Sequence, residues 1–186
     1  MIITHHREKL INAVLYFAKN TEYCGKTKLM KLLFFLDFMH FKQTGKSVTG
    51  LDYYAWPMGP VPKAFFEEIS GPQLPKDLKN VVSVKQSESF QEIVACNNPD
   101  MDYFSPRETK IMEEICFVYK DVQADDISEI SHLPNQPWNR TKRKKGLQKQ
   151  IDYLLALDDS RDSLPYEVAK ERHIEIKEMY TNYGVV

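Results

Sequence analysis

Apolar positions recur at helical spacing over most of the chain, and the breaks between them mark the elements. From about His5 to Asn20, Leu10, Val14 and Phe17 share one stripe and Ile11, Leu15 and Ala18 the next, which predicts a first helix with Thr4 as its N-cap. Gly25 precedes a second helix over about Thr27–Lys42, stopped by Gly45. Between Leu29 and Phe41 only Lys31, Asp37 and His40 are polar. A helix apolar on almost every side belongs at the centre, covered by the others.

Asp52–Trp56, bounded by Gly50 and Pro57, reads as extended. The prolines that follow predict a turn and then a helix over about Val61–Ser70, with Pro62 near its first position and Gly71 past its end. Val81–Lys85 and Glu92–Cys96 flank the polar turn Gln86–Ser89 and read as a small hairpin. Ser105-Pro106-Arg107-Glu108 is a capping box that opens a helix to about Tyr119, with Ile111, Ile115 and Val118 on its buried face. A shorter helix covers about Asp125–His132, closed by Pro134. Asn135–Lys149 reads as a polar loop around Trp138, and Ile151–Leu157 as a strand or an extended arm. The last helix spans about Pro165–Tyr183, with Ile176, Met179, Tyr180 and Tyr183 on one face. The expectation is one domain over 1–186, mainly α with a small β element (α+β), compact around a central apolar helix and carrying a short hairpin.

Composition narrows the function. With 42% apolar and 12% aromatic residues the 186-residue chain has material for a core. Twenty-five basic residues nearly cancel 26 acidic ones, for a net charge of −1, so a globally basic nucleic-acid binder is disfavoured. Cys24, Cys96 and Cys116 are too few and too scattered for a disulfide framework, which fits a reducing compartment. The longest strongly apolar run, Leu32–Leu36, falls far short of the roughly 20 residues of a membrane span. A cytoplasmic location with no membrane contact is expected.

Candidate chemistry is sparse. Asp37 and His40, three apart on the central helix, share a face. They read as a structural polar pair, satisfying each other or with His40 on a backbone carbonyl, because no nucleophile or third ligand stands at a telling spacing. The five histidines show no HxxxH or HExxH spacing, so no metal is expected. Gly45-Lys46-Ser47 ends like a phosphate loop, but the upstream glycine position is His40; no cofactor is expected. Tyr53, Tyr54, Trp56, Met58 and Pro60 form a rigid aromatic stretch, either a recognition surface or a turn packed on the core. Arg140, Lys142, Arg143, Lys144, Lys145 and Lys149 concentrate positive charge. That run could meet phosphates or an acidic protein face, but a solvated loop compensated by Asp152, Asp158, Asp159 and Asp162 is favoured.

The order of segments adds a resemblance. Lys28-Leu29-Met30-Lys31-Leu32-Leu33-Phe34-Phe35-Leu36-Asp37-Phe38 resembles the KLxKLLYFADF helix of the Panacea domain, the SocA-like antitoxin family. Phe34 and Leu36 stand where that family more often has Tyr and Ala. Gly59-Pro60-Val61-Pro62 is similar to its GPVP turn, and Ile127-Ser128-Glu129 through His132, with Pro137-Trp138, to its LSExxH…PW element. The blocks cover about 26–138, leaving 139–186 as a basic loop and helix. The resemblance implies a non-enzymatic antitoxin, from a bacterium, prophage or other mobile element, that binds a toxin encoded by an adjacent gene. Tyr53, Tyr54, Trp56, Met58, Pro60, Trp138, Arg140 and Lys142–Lys145 are the candidate contacts. The alternatives are an adaptor that delivers a partner to a protease, or a nucleic-acid-binding accessory protein using the basic run.

Overall fold

The computed structural model describes residues 2–86 and 90–184. The central element is α2 (Lys26–Thr44), with every residue from Lys28 to Phe38 buried, and His40 and Phe41 beyond. Gly45, at φ 77, closes it in the left-handed conformation that favours glycine. Against it pack α1 (His6–Asn20), α3 (Lys63–Ser70), α5 (Pro106–Tyr119), α6 (Ala124–Ser131) and α8 (Tyr166–Tyr183). The architecture is mainly helical, as its apolar pattern predicts.

Two antiparallel hairpins supply the β structure. β1 (Tyr54–Trp56) pairs with β2 (Gly59–Val61), register Tyr54 to Val61, around Pro57-Met58. β3 (Val82–Gln86) pairs with β4 (Gln91–Ala95), close to the expected positions. Ser87, Glu88 and Ser89 of the expected turn lie outside the described residues.

The capping box of α5 forms as read: Ser105 Oγ accepts from the Glu108 amide (3.3 Å) and Glu108 accepts from the Ser105 amide (2.7 Å). Glu108 also takes Lys9 at 2.6 Å, tying α5 to α1.

Several boundaries differ from expectation. His5, not Thr4, is the N-cap of α1, and Pro62 is the N-cap of α3 rather than its first residue. Gly59–Val61, read as turn and helix start, is a strand. Val118 is 56% exposed, because the buried stripe of α5 runs through Ile111, Met112, Ile115 and Cys116. The expected polar loop holds a helix, α7 (Pro137–Lys145), opened by Pro137. Ile151–Leu157 is neither strand nor arm: residues 148–151 run beside β1, and Tyr153–Ala156 is a 3-10 turn. On α8, Met179 and Tyr183 are exposed, while Ile176 and Tyr180 are half-buried. No helix among the described residues is long and apolar enough to cross a membrane.

Candidate partner-binding site

Each polar residue inside α2 holds a connecting segment. Lys28 donates to the Glu22 and Lys120 carbonyls (2.7 and 3.1 Å). Asp37 accepts from the amides of Val48 and Thr49 and from the Tyr53 hydroxyl, at 2.7 to 2.8 Å, and from the Thr49 hydroxyl at 2.5 Å. His40 Nδ1 meets the Lys46 carbonyl at 2.8 Å. Asp37 and His40 therefore serve different partners, and of the two structural readings the backbone-carbonyl one describes His40. Burial holds the His40 imidazole below its ordinary range.

Lys31 points at the β1–β2 hairpin. Only 1% exposed, it has one hydrogen bond among the described residues, from Nζ to the Pro60 carbonyl at 3.3 Å. Desolvation lowers it to about 7. Gly59 lies directly over it at φ 113: a Cβ there would come within 2.6 Å of Lys31 Cε and 3.0 Å of Ser131 Oγ. The positive φ favours glycine, and any side chain there would push the end of Lys31 aside.

The same hairpin rests on the turn between α6 and α7. Trp138, 3% exposed, donates from Nε1 to the Trp56 carbonyl at 2.9 Å. His132 stacks on the Trp138 ring (centroids 3.8 Å, 21°), and Lys142 Nζ lies 4.9 Å from that ring's centroid. His132 Nε2 is buried with no hydrogen-bond partner among the described residues. Burial first, then Lys31 and Lys142, lower the His132 imidazole. Asn139 donates to the His132 carbonyl (2.9 Å), joining the start of α7 to the end of α6.

Lys31, Gly59-Pro60, Ser131-His132 and Trp138, scattered over three blocks of sequence, thus converge beneath one hairpin. The profile of the SocA-like antitoxin family, the Panacea domain, matches residues 29–139, more than half of the chain and the span that contains all of these residues. The chain belongs to that family. No curated protein and no solved structure matches it. Membership gives this Panacea-domain chain an antitoxin role in general terms and points away from enzymatic function.

The predicted contact residues divide by burial. Tyr53, Pro60 and Trp138 are core, not surface; the Tyr53 hydroxyl is spent on Asp37, the Pro60 carbonyl on Lys31 and the Trp138 N–H on Trp56. Tyr54 and Trp56 are half-buried, and Trp56 meets Phe66 edge to face at 5.2 Å. Met58 at the hairpin tip is 59% exposed. Arg140 is half-buried and donates to the Leu155 carbonyl (3.1 Å); Lys142, Arg143, Lys144 and Lys145 are exposed on α7.

The expected charge compensation of the basic run does not occur. Asp158 and Asp162 pair with Lys42 (2.9 and 3.4 Å), and Asp152 caps the Leu154 amide. Among the described residues no ion pair engages the cations of α7. Sequence reasoning missed Leu133, 53% exposed in the α6–α7 turn, because it follows the apparent end of a helix.

Proposed function

We propose that this Panacea-domain chain neutralises a cognate toxin, encoded next to it, by direct contact through the β1–β2 tip and α7. The observation that supports this reading is the juxtaposition at one edge of the fold of an exposed apolar tip, Met58, and an uncompensated basic helix. β1 and α7 are in contact, with the Trp56–Trp138 bond between them. Apolar anchors beside unpaired charge suit a protein partner: the anchor supplies affinity and the charge supplies steering and orientation. Lys31 and Trp138 hold the tip from below, so it meets a partner already ordered.

The test is rescue of growth. Expression of the neighbouring open reading frame should arrest growth, and this chain should restore it. Met58→Glu is expected to cost about 2 kcal/mol of binding, roughly 30-fold in affinity, with no change in melting temperature. Reversing Lys142, Arg143 and Lys144 to Glu should slow association and flatten its salt dependence. A neighbour that is harmless, or that binds both variants as tightly as the parent, removes this reading.

A further inference from the structure

A cavity whose lining includes no residue of the β1–β2 hairpin reaches the end of α7 at Lys145. It has a volume of about 860 Å³, within the roughly 300–1,000 Å³ of small-molecule sites, and sits between the start of α1, the end of α2, the loop 45–50, residues 150–154 and α8. Its lining divides into three chemistries. His6, His173 and Tyr180 present half-buried rings. No hydrogen bond among the described residues engages the ring nitrogens of His6 or His173, and burial lowers both imidazoles, which favours the neutral form that can donate and accept. Phe41 and Tyr153 form the apolar wall behind them, with Phe41 edge-on to His173 at 5.2 Å.

The second set is cationic. Lys46, Lys145 and Lys177 line the same cavity, are exposed, and have no ion-pair partner among the described residues. Lys9, deeper in, is spent on Glu108. The third set is two exposed carboxylates: Asp52, which accepts from Gln150 at 2.8 Å, and Asp152, which accepts from the Leu154 amide at 2.9 Å. Each bond is to one oxygen, leaving the other to accept from a ligand.

We infer that this cavity binds a free nucleoside phosphate. Flat rings with unspent ring nitrogens stack on and hydrogen-bond a base, carboxylates accept from ribose hydroxyls, and unpaired lysines meet a phosphate. A simple anion would leave the carboxylates and rings without a purpose, and an apolar ligand would leave the lysines without one. The absence of a glycine-rich phosphate loop is no obstacle, because lysine side chains can supply the charge. The run Gly45-Lys46-Ser47 enters here through its lysine rather than through a phosphate-loop backbone.

The experiment is calorimetric titration of the full chain with AMP, GMP, CMP and UMP, alongside the four nucleosides, inorganic phosphate and a 5′-phosphorylated oligoribonucleotide. At least one monophosphate should bind saturably, and its nucleoside and inorganic phosphate at least about tenfold more weakly. Lys46→Ala with Lys177→Ala should weaken that monophosphate at least about tenfold while leaving the unliganded melting temperature unchanged, since both side chains are exposed and unpaired. No heat from any monophosphate overturns the inference. So does equal binding of nucleoside and nucleotide, or binding of the oligonucleotide alone. The titration uses no toxin, so its outcome is independent of the neutralisation test.

Discussion

Replacing Lys31 with Met should raise the stability of this protein. Lys31 is held in the core with one long hydrogen bond, and burial lowers its ammonium from 10.5 to about 7, which sets the scale of the cost. At about 1.4 kcal/mol per pH unit that cost is on the order of 5 kcal/mol. The unfolded chain keeps Lys31 protonated up to its ordinary 10.5, whereas the folded chain releases the proton near 7. Between those values the unfolded state binds more protons, so this group makes the fold more stable as pH rises through the window and carries its full penalty below it. The unfolded thiols of Cys24 and Cys116, which burial raises to about 11 and about 12 in the fold, work in the opposite sense from about pH 9 upward. The clean comparison is therefore between pH 7 and 9. Lys31→Met removes the penalty, gives up about 1 kcal/mol for the Pro60 bond, and keeps much of the volume. The expected net gain at pH 7 is about 2–4 kcal/mol by urea unfolding, with a flatter pH dependence than the parent. A variant that is less stable at pH 7, or that keeps the parent's slope, would show that Lys31 is a paired charge rather than a penalised one.

That prediction bears on function because of what Lys31 touches. A residue that costs stability and holds the Pro60 carbonyl under a hairpin exchanges stability for a fixed tip. The better-folded variant should present a looser Met58, and growth rescue and melting temperature should move in opposite directions. This link rests on the neutralisation proposal; the stability measurement does not.

What could be read from the sequence follows from where the physical signal was local. The central helix was legible because an almost wholly apolar stretch has one place to go, and α5 because its N-terminal box is four consecutive residues. α7 was hidden. Its buried residues are only Pro137, Trp138 and Thr141, and cations fill its last turn, so no apolar periodicity marks it. It is helical because Pro137 starts it and Trp138 docks on Trp56. β2 was hidden for a related reason: two of its three residues, Gly59 and Pro60, are depleted in strands, and a proline there is tolerated on an edge strand. The aromatic stretch, extended as expected, alternates in burial. Tyr53 and Ala55 are buried while Tyr54 and Trp56 are half-exposed, the period-two alternation of a strand. That alternation separates core from surface where composition cannot. The meeting of Lys31, Pro60, His132 and Trp138 had no local signal at all; only the ordered blocks of the family pattern placed them in one group.

The opposite result is expected at Asp37, the buried acid of α2. Asp37 is fully buried, with both oxygens occupied: one by the amides of Val48 and Thr49, the other by the hydroxyls of Thr49 and Tyr53. Burial pushes its carboxyl above the usual range and the four donors pull against that. Asp37→Ala leaves two backbone N–H groups and two hydroxyls without their acceptor in a fully buried position. The expected loss is about 3–5 kcal/mol, of which the unsatisfied amides alone account for a large part. Asp37→Asn keeps an oxygen for the two amides, and the hydroxyls of Thr49 and Tyr53 can rotate to accept from its NH₂, so its loss should be at most about half as large. The difference between the two variants is the informative quantity. Equal losses would mean that the negative charge, rather than hydrogen-bond satisfaction, holds the 47–49 loop. Because that loop walls the cavity assigned to a nucleotide, Asp37→Ala should also expose the Val48 and Thr49 amides to hydrogen exchange, while the Lys28 clip at the far end of α2 keeps its protection.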